Sequence, residues 1–322
     1  MPTEMPVRVP LLVMLAVSMG ASNLAFRIKR SRVQRDAVVA ILRDGGGVRY
    51  DYEIQGREPP GPACVRRLLG RDFVAHVVEA YPNSDYGLRS AKRLPRLKVL
   101  KLQGAHISDA ALEDLNRLSE LEELHLNMSS VTDAGVKHLR DLKGLRLLSL
   151  GGTRVSDGGL RYLEGLRRLK VLHLGSTLVT DAGLAHLRQF TQLEILDLEN
   201  TAVTDAGLMH LSGLTQLMSL ELGHTQVTDA GLEHIRSLVE LRELLLTGVR
   251  VTDAGLGNLK GLVELRALDL RGTAVTEKGL HQLNGLEHLR LLGVPARGDE
   301  ELKRIQILFP KTRLAPSLGV RP

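Results

Sequence analysis

From Leu94 to Gly285 the chain divides into eight consecutive units of 24 residues with the consensus LxxLxxLxLxxTxVTDAGLxxLxx. A unit this short cannot bury its own apolar face, so a fixed period with recurrent leucine forces neighbouring units to stack around one continuous core. The hexapeptide VTDAGL, found at Val179 to Leu184, Val203 to Leu208, Val227 to Leu232 and Val251 to Leu256, sets the register. Within each unit LxxLxL predicts a short strand whose leucines, such as Leu196 and Leu198, point inward. DAGLxxL predicts a helical turn behind it, and its glycine lets adjacent units approach closely at about 1 kcal/mol of helix propensity. Aromatic residues make up 3% of the chain and tryptophan is absent, so repeated leucine must fill the core.

The period continues past its clean copies. SDYGL, Ser84 to Leu88, stands 24 residues before SDAAL, and Phe73, Val78 and Ala91 fall on leucine positions, which makes 70–93 a degenerate capping unit. At the other end Leu286, Leu289, Leu292 and Val294 begin a shortened ninth unit. There DEELKRI, Asp299 to Ile305, replaces the helix and ILFPKTRL closes the array, as the exposed ends of a stack require.

This pattern resembles the leucine-rich repeat family. The resemblance implies an α/β solenoid, a horseshoe with a parallel β-sheet on its concave face and short helices on its convex face. It also implies that Thr153, Thr177, Thr201, Thr225 and Thr273, which replace the family's asparagine ladder, satisfy turn backbone groups between neighbouring units. Ala105 and Val249 interrupt that column. The whole plan, an N-terminal apolar segment from Val9 to Phe26, a basic helix, VRYDYEI and then LLGRDFVAHVV leading into the 24-residue units, is similar to membrane-anchored bacterial leucine-rich repeat proteins, whereas the repeats alone also resemble those of F-box substrate receptors and bacterial effectors.

Val9 to Phe26 carries no charge, and as one helix would reach about 27 Å against a hydrocarbon core of roughly 30 Å. It is expected to be an N-terminal apolar helix that anchors the chain in a membrane. The cations Arg27, Lys29, Arg30, Arg32 and Arg35 follow directly and place the body on the cytoplasmic side. A signal peptide cleaved after SMG, with an exported body, and a buried soluble helix are the alternatives. Val33, Ala37, Val38, Ile41 and Leu42 then recur at helical spacing, and VRYDYEI alternates as a strand with Val48, Tyr50, Tyr52 and Ile54 on one face. The expected layout is thus an anchor over 1–26, a basic helix, strand and cap over 27–69, a solenoid over 70–310 and a tail over 311–322.

Charge and motifs narrow the function. The net charge is +6, but 1–93 holds 15 basic and 9 acidic residues, and the remainder holds 28 of each. A neutral body offers no basic face to nucleic acid. The single cysteine, Cys64, has neither a base nor metal-ligating partners nearby and is expected to be a small buried apolar residue. The acid column Asp109, Asp133, Asp157, Asp181, Asp205, Asp229, Asp253 and Glu277 follows a serine or threonine each time, which reads as a hydroxyl N-cap with an anion near the positive end of the helix. His138, Tyr162, His186, His210 and His234 form a surface ladder on the helical side rather than a metal site. Arg297, Gly298 and Asp299 match an adhesion tripeptide, but Asp299 also has a helix-start role. No nucleotide, protease or calcium motif occurs, so no catalytic role, cofactor, metal or small-molecule substrate is expected.

What remains are the strand positions that the repeat leaves free. Between the core leucines of LxL stand Lys101, His125, Ser149, His173, Asp197, Glu221, Leu245 and Asp269. Two residues further along stand Gln103, Asn127, Gly151, Gly175, Glu199, Gly223, Thr247 and Arg271. Strand alternation gathers these into one outward ribbon. Its candidate partner-binding residues are Lys101, His125, His173, Asp197, Glu199, Glu221, His224, Asp269 and Arg271. The expected function is non-enzymatic recognition of a protein partner at a membrane; a ubiquitin-ligase-type substrate receptor and an exported adhesion protein are the alternatives.

Overall fold

A computed structural model describes residues 13–295 and 298–316. Twelve strands form one sheet in sequence order. The first, β1 (Gly47–Tyr50), pairs antiparallel with β2 (Val77–Tyr81), and every later pairing is parallel. Next come β3 (Val99–Lys101) and, at 24-residue intervals, β4 to β10: Glu123–His125, Leu147–Ser149, Val171–His173, Ile195–Asp197, Ser219–Glu221, Glu243–Leu245 and Ala267–Asp269. The pairs Leu148↔Leu172, Leu172↔Leu196 and Leu196↔Leu220 show the repeat held in register from strand to strand. Behind the strands the DAGL segments make single helical turns, such as Asp181–Leu184, continued by 3-10 turns. Strand and helix leucines meet in one core that runs from Ala37 to Phe309. Fully buried leucines of this kind stabilise by roughly 1.5 to 3 kcal/mol each.

The ends differ from their sequence reading in instructive ways. Helix α1 (Ala21–Arg43) buries Leu24, Ala37, Val38 and Ile41 but also Gln34, whose amide bonds Asp72 Oδ1 and the Ala75 carbonyl. VRYDYEI is not one strand. Its second half, Asp51–Ile54, turns into a short helix because the Glu53 carboxylate accepts the Tyr50 N–H at 2.8 Å and leaves no strand continuation. Cys64 is exposed, which corrects its reading as a buried residue: in the helix Ala63–Leu69 it is Val65 that is buried, with Leu69 packed beside it. At the far end the helix Asp299–Leu308 stands in for the repeat turn, and β12 (Arg313–Pro316) pairs with β11 (Leu291–Val294). The sheet therefore extends beyond residue 310.

Among the described residues no helix is long and apolar enough to cross a membrane. The apolar run is divided at Gly20, whose φ of 76° separates helical residues 13–19 from α1. Its second half packs on protein, with Leu24 buried against Val65 and Phe73. The start of the expected anchor, residues 9–12, and Arg297 of the adhesion-like tripeptide lie outside the described residues.

The repeated acids take a role that the sequence reading stated only in part. The hydroxyls do cap their helices: Thr132, Thr180, Thr204 and Thr228 each accept the backbone N–H two residues on. Each aspartate, however, also reaches forward to the next unit. Asp109 accepts the Thr132 N–H and hydroxyl at 2.9 and 2.6 Å, and the same pair of bonds joins Asp133 to Ser156, Asp157 to Thr180, Asp205 to Thr228 and Asp229 to Thr252. Asp44, which ends α1, begins this ladder by accepting the Asn83 and Ser84 N–H groups at 2.8 and 2.9 Å. Glu277 ends it by accepting from Arg304 at 2.7 Å. Glycine suits DAGL because a Cβ at Gly207 would press on Asp181 Oδ1 of the preceding unit, although Ala111 fills the same position in SDAAL.

The threonine column works differently from its expected role. Thr153, Thr177, Thr201, Thr225 and Thr273 donate to the carbonyl three residues back in their own unit, at 2.5 to 2.7 Å. They close the turn after the strand, and the aspartates join the units.

Candidate functional site

The outward face of the sheet carries three rows of side chains. Lys101, His125, Ser149, His173, Asp197 and Glu221 align through the parallel pairings, so neighbours along this row lie one strand spacing, about 4.8 Å, apart. The residues expected to bind a partner are not all brought together. Lys101 and Asp269 sit seven strands apart, at about 34 Å on the same spacing.

Several of these residues are neutralised by neighbours. Lys101 is bound to Glu79 Oε1 at 2.7 Å and lies over the Tyr81 ring at 5.2 Å, so it is no free cation. Burial raises the Glu79 carboxyl, yet hydrogen bonds from Lys101 and Tyr81 and the charge of Arg49 hold it below the usual carboxylate range. Asp269 takes the Arg271 guanidinium through both oxygens, with Nε 2.9 Å from each. Burial pushes that carboxyl up, and the Arg271 bonds outweigh it and hold it low. Burial lowers His125 against the opposing Glu123 carboxylate 3.5 Å away, and its Nε2 has no hydrogen-bond partner. His224 belongs to the turn beyond the strand, in the left-handed region with φ 56°, in the same column as Gly152, Ser176, Asn200 and Gly248.

The centre of the face is where charge is left over. Asp197 lies 3.6 Å from His173 Nδ1 and accepts the Glu199 N–H at 2.9 Å. Glu221 stands beside them on the next strand, and burial, then Asp197 and Glu199, pushes its carboxyl up to about 7. Three acids with a single histidine facing them thus share one patch.

A third row went unread in the sequence. The residue before each strand leucine faces the same side as the residue after it, by the same alternation. This row reads Val99, Glu123, Leu147, Val171, Ile195, Ser219 and Glu243, and each of its apolar members is half-buried rather than enclosed. Leu147, Val171 and Ile195 therefore form an apolar strip directly alongside Ser149, His173 and Asp197.

On the helical side His186 meets Glu164 at 2.7 Å and His210 meets Arg188 at 2.6 Å. These histidines pair with charged neighbours of the adjacent unit and not with one another.

A leucine-rich repeat family model matches residues 214–235. The chain has the leucine-rich repeat fold. Internalin C2 of Listeria monocytogenes strain 4b F2365 is similar in fold, with a TM-score of 0.53 and 24% identity over 64% of this chain and 82% of that one. Another internalin of the same strain, inlF, aligns over 72% of this chain and 83% of its own, with 20% identity and a TM-score of 0.39. No curated protein matches the sequence.

Proposed function

We propose that this leucine-rich repeat protein is a non-enzymatic recognition scaffold whose open sheet face binds a protein partner. One observation carries the reading: the apolar strip Leu147, Val171 and Ile195 runs beside the acid patch Asp197, Glu199 and Glu221 on a rigid sheet. An apolar centre with a charged margin is the anatomy of a protein interface. The partner surface it fits is basic with an apolar core. Affinity capture with the full chain as bait, compared with a D197K/E199K/E221K variant and with Val171→Asp, tests this. A specific partner recovered by the native face and lost from both variants supports the assignment, and equal recovery by all three removes it.

The same reading holds the chain at a membrane through the apolar residues of 9–26, with the repeat body on the cytoplasmic side of the cations that follow. Val13, Met14, Val17 and Phe26 are 56%, 73%, 81% and 64% exposed, which supports it. Fractionation of cells, with Val13→Asp and Val17→Asp introduced together, is the check: the native chain sediments with membranes and the variant does not.

A further inference from the structure

The cleft between α1 and the loop leading into β3 gathers four cations, Lys29, Arg30, Arg93 and Arg96, against one carboxylate, Glu120, around a volume of about 530 Å³. Elsewhere at this end of the molecule several cations are matched: Arg35 with Asp72, Arg49 with Glu79, Lys92 with Asp114. Here they are not. Among the described residues the side chains of Lys29, Arg93 and Arg96 make no ion pair or hydrogen bond. Arg30 finds only the imidazole of His76, 3.2 Å from its Nη2. Burial, then Arg96 and Arg27, lower the Arg30 guanidinium from its usual range, and burial, then Arg30 and Arg96, do the same to His76. Burial first, and the neighbouring guanidiniums second, thus disfavour a further proton on the adjacent histidine. Four cations around the single carboxylate of Glu120 still repel one another, and an anion entering from outside relieves that repulsion.

The rest of the cleft indicates which anion. Phe26 and Val33 line it while 64% and 39% exposed, and earlier in the chain Val13, Met14 and Val17 also turn apolar side chains outward. A small anion in water gains nothing from these groups. At a lipid surface they enter the boundary between headgroups and acyl chains, while the guanidiniums meet phosphates.

We infer that this cleft binds the phosphate headgroups of an anionic phospholipid surface, with Lys29 and Arg30 on one wall and Arg93 and Arg96 on the other. The inference rests on the membrane half of the proposed function and is independent of the recognition face.

The test is sedimentation of the full-length chain with vesicles of phosphatidylcholine alone and of phosphatidylcholine mixed with phosphatidylglycerol. Two variants of equal charge change are compared. R93E/R96E alters the cleft, and R43E/R89E alters exposed arginines that do not line it. Circular dichroism melts verify that both fold. The native chain is expected to bind the anionic vesicles about tenfold more tightly than the neutral ones, with that increment lost in R93E/R96E and largely kept in R43E/R89E. Equal losses in the two variants, or no anionic increment in the native chain, overturn the site. Inorganic pyrophosphate binding through the same arginines, with no gain on anionic vesicles, also overturns the lipid assignment. Binding to neutral vesicles, and its sensitivity to Val17→Asp, reports on the apolar tether separately, so either reading can fail without the other.

Discussion

Asp181 accepts both the backbone N–H and the hydroxyl of Thr204, at 2.8 and 2.6 Å, across the boundary between two consecutive units. The same threonine caps its own helix by accepting the Ala206 N–H. One residue pair thus ends one unit and begins the next, and its nine-fold repetition from Asp44–Ser84 to Asp253–Thr276 threads the solenoid.

Removing Asp181 should therefore weaken cohesion between units. Asp181→Ala is expected to lower unfolding free energy by roughly 1 to 3 kcal/mol, because a charge-assisted acceptor is lost and the Thr204 donors stay partly buried. Gly207→Ala is expected to cost a similar amount, roughly 1 to 3 kcal/mol, through overlap with Asp181 Oδ1. Combined, they should cost less than their sum by at least about 0.5 kcal/mol, since deleting the carboxylate removes the overlap. Urea titrations of the four proteins measure this, and strict additivity would falsify the contact.

Glu221 makes stability depend on pH. Its folded-state value of about 7 lies above the ordinary 4.5, so between those values the native state holds a proton that the unfolded chain has released. Stability contributed by this group is therefore greatest at low pH, falls as pH rises through that window, and levels off above it. Glu221→Gln should match the native Tm near pH 4 and exceed it increasingly up to pH 8. A Tm difference that stays constant across the range would show that Glu221 titrates normally.

Asp44→Ala should loosen the N-terminal end alone. With its carboxylate gone, the Asn83 and Ser84 amides lose their acceptor, and their hydrogen exchange is expected to quicken by about tenfold. Amides in β7 and β8 should be unaffected. Uniform acceleration along the whole chain would contradict a local fastening.

Cys64 should react with a thiol reagent in native buffer at a rate within about tenfold of that in denaturant, because the side chain is exposed. Protection by several orders of magnitude would mean that this end is covered.

The array was legible in the sequence because its causes are local. Leucine spacing, the hydroxyl before DAGL and the glycine within it act over a few residues, so strand, turn and helix could be placed from Leu94 to Gly285 and extended to SDYGL and DEELKRI. The departures lie where local pattern is ambiguous. VRYDYEI alternates like a strand, yet Glu53 folds back onto the Tyr50 N–H, and Cys64 sits in a helix with only one buried face. The strip of Leu147, Val171 and Ile195 was within reach of the alternation rule that revealed Asp197 and Glu221.

Other features exist only once the units stack. Parallel pairing turns a separation of 24 residues into one strand spacing, which is what brings Asp197, Glu199 and Glu221 together and lets Asp181 find Thr204. Stacking also decides which charges cancel. Lys101 meets a glutamate from β2, whereas Arg93 and Arg96 face α1 and its cations. The sequence by itself determined the period, the core and the free positions, because hydrophobic spacing and capping act within one unit. Tertiary structure decided which free positions remain charged and accessible, because electrostatic partners are chosen by distance in space and not along the chain.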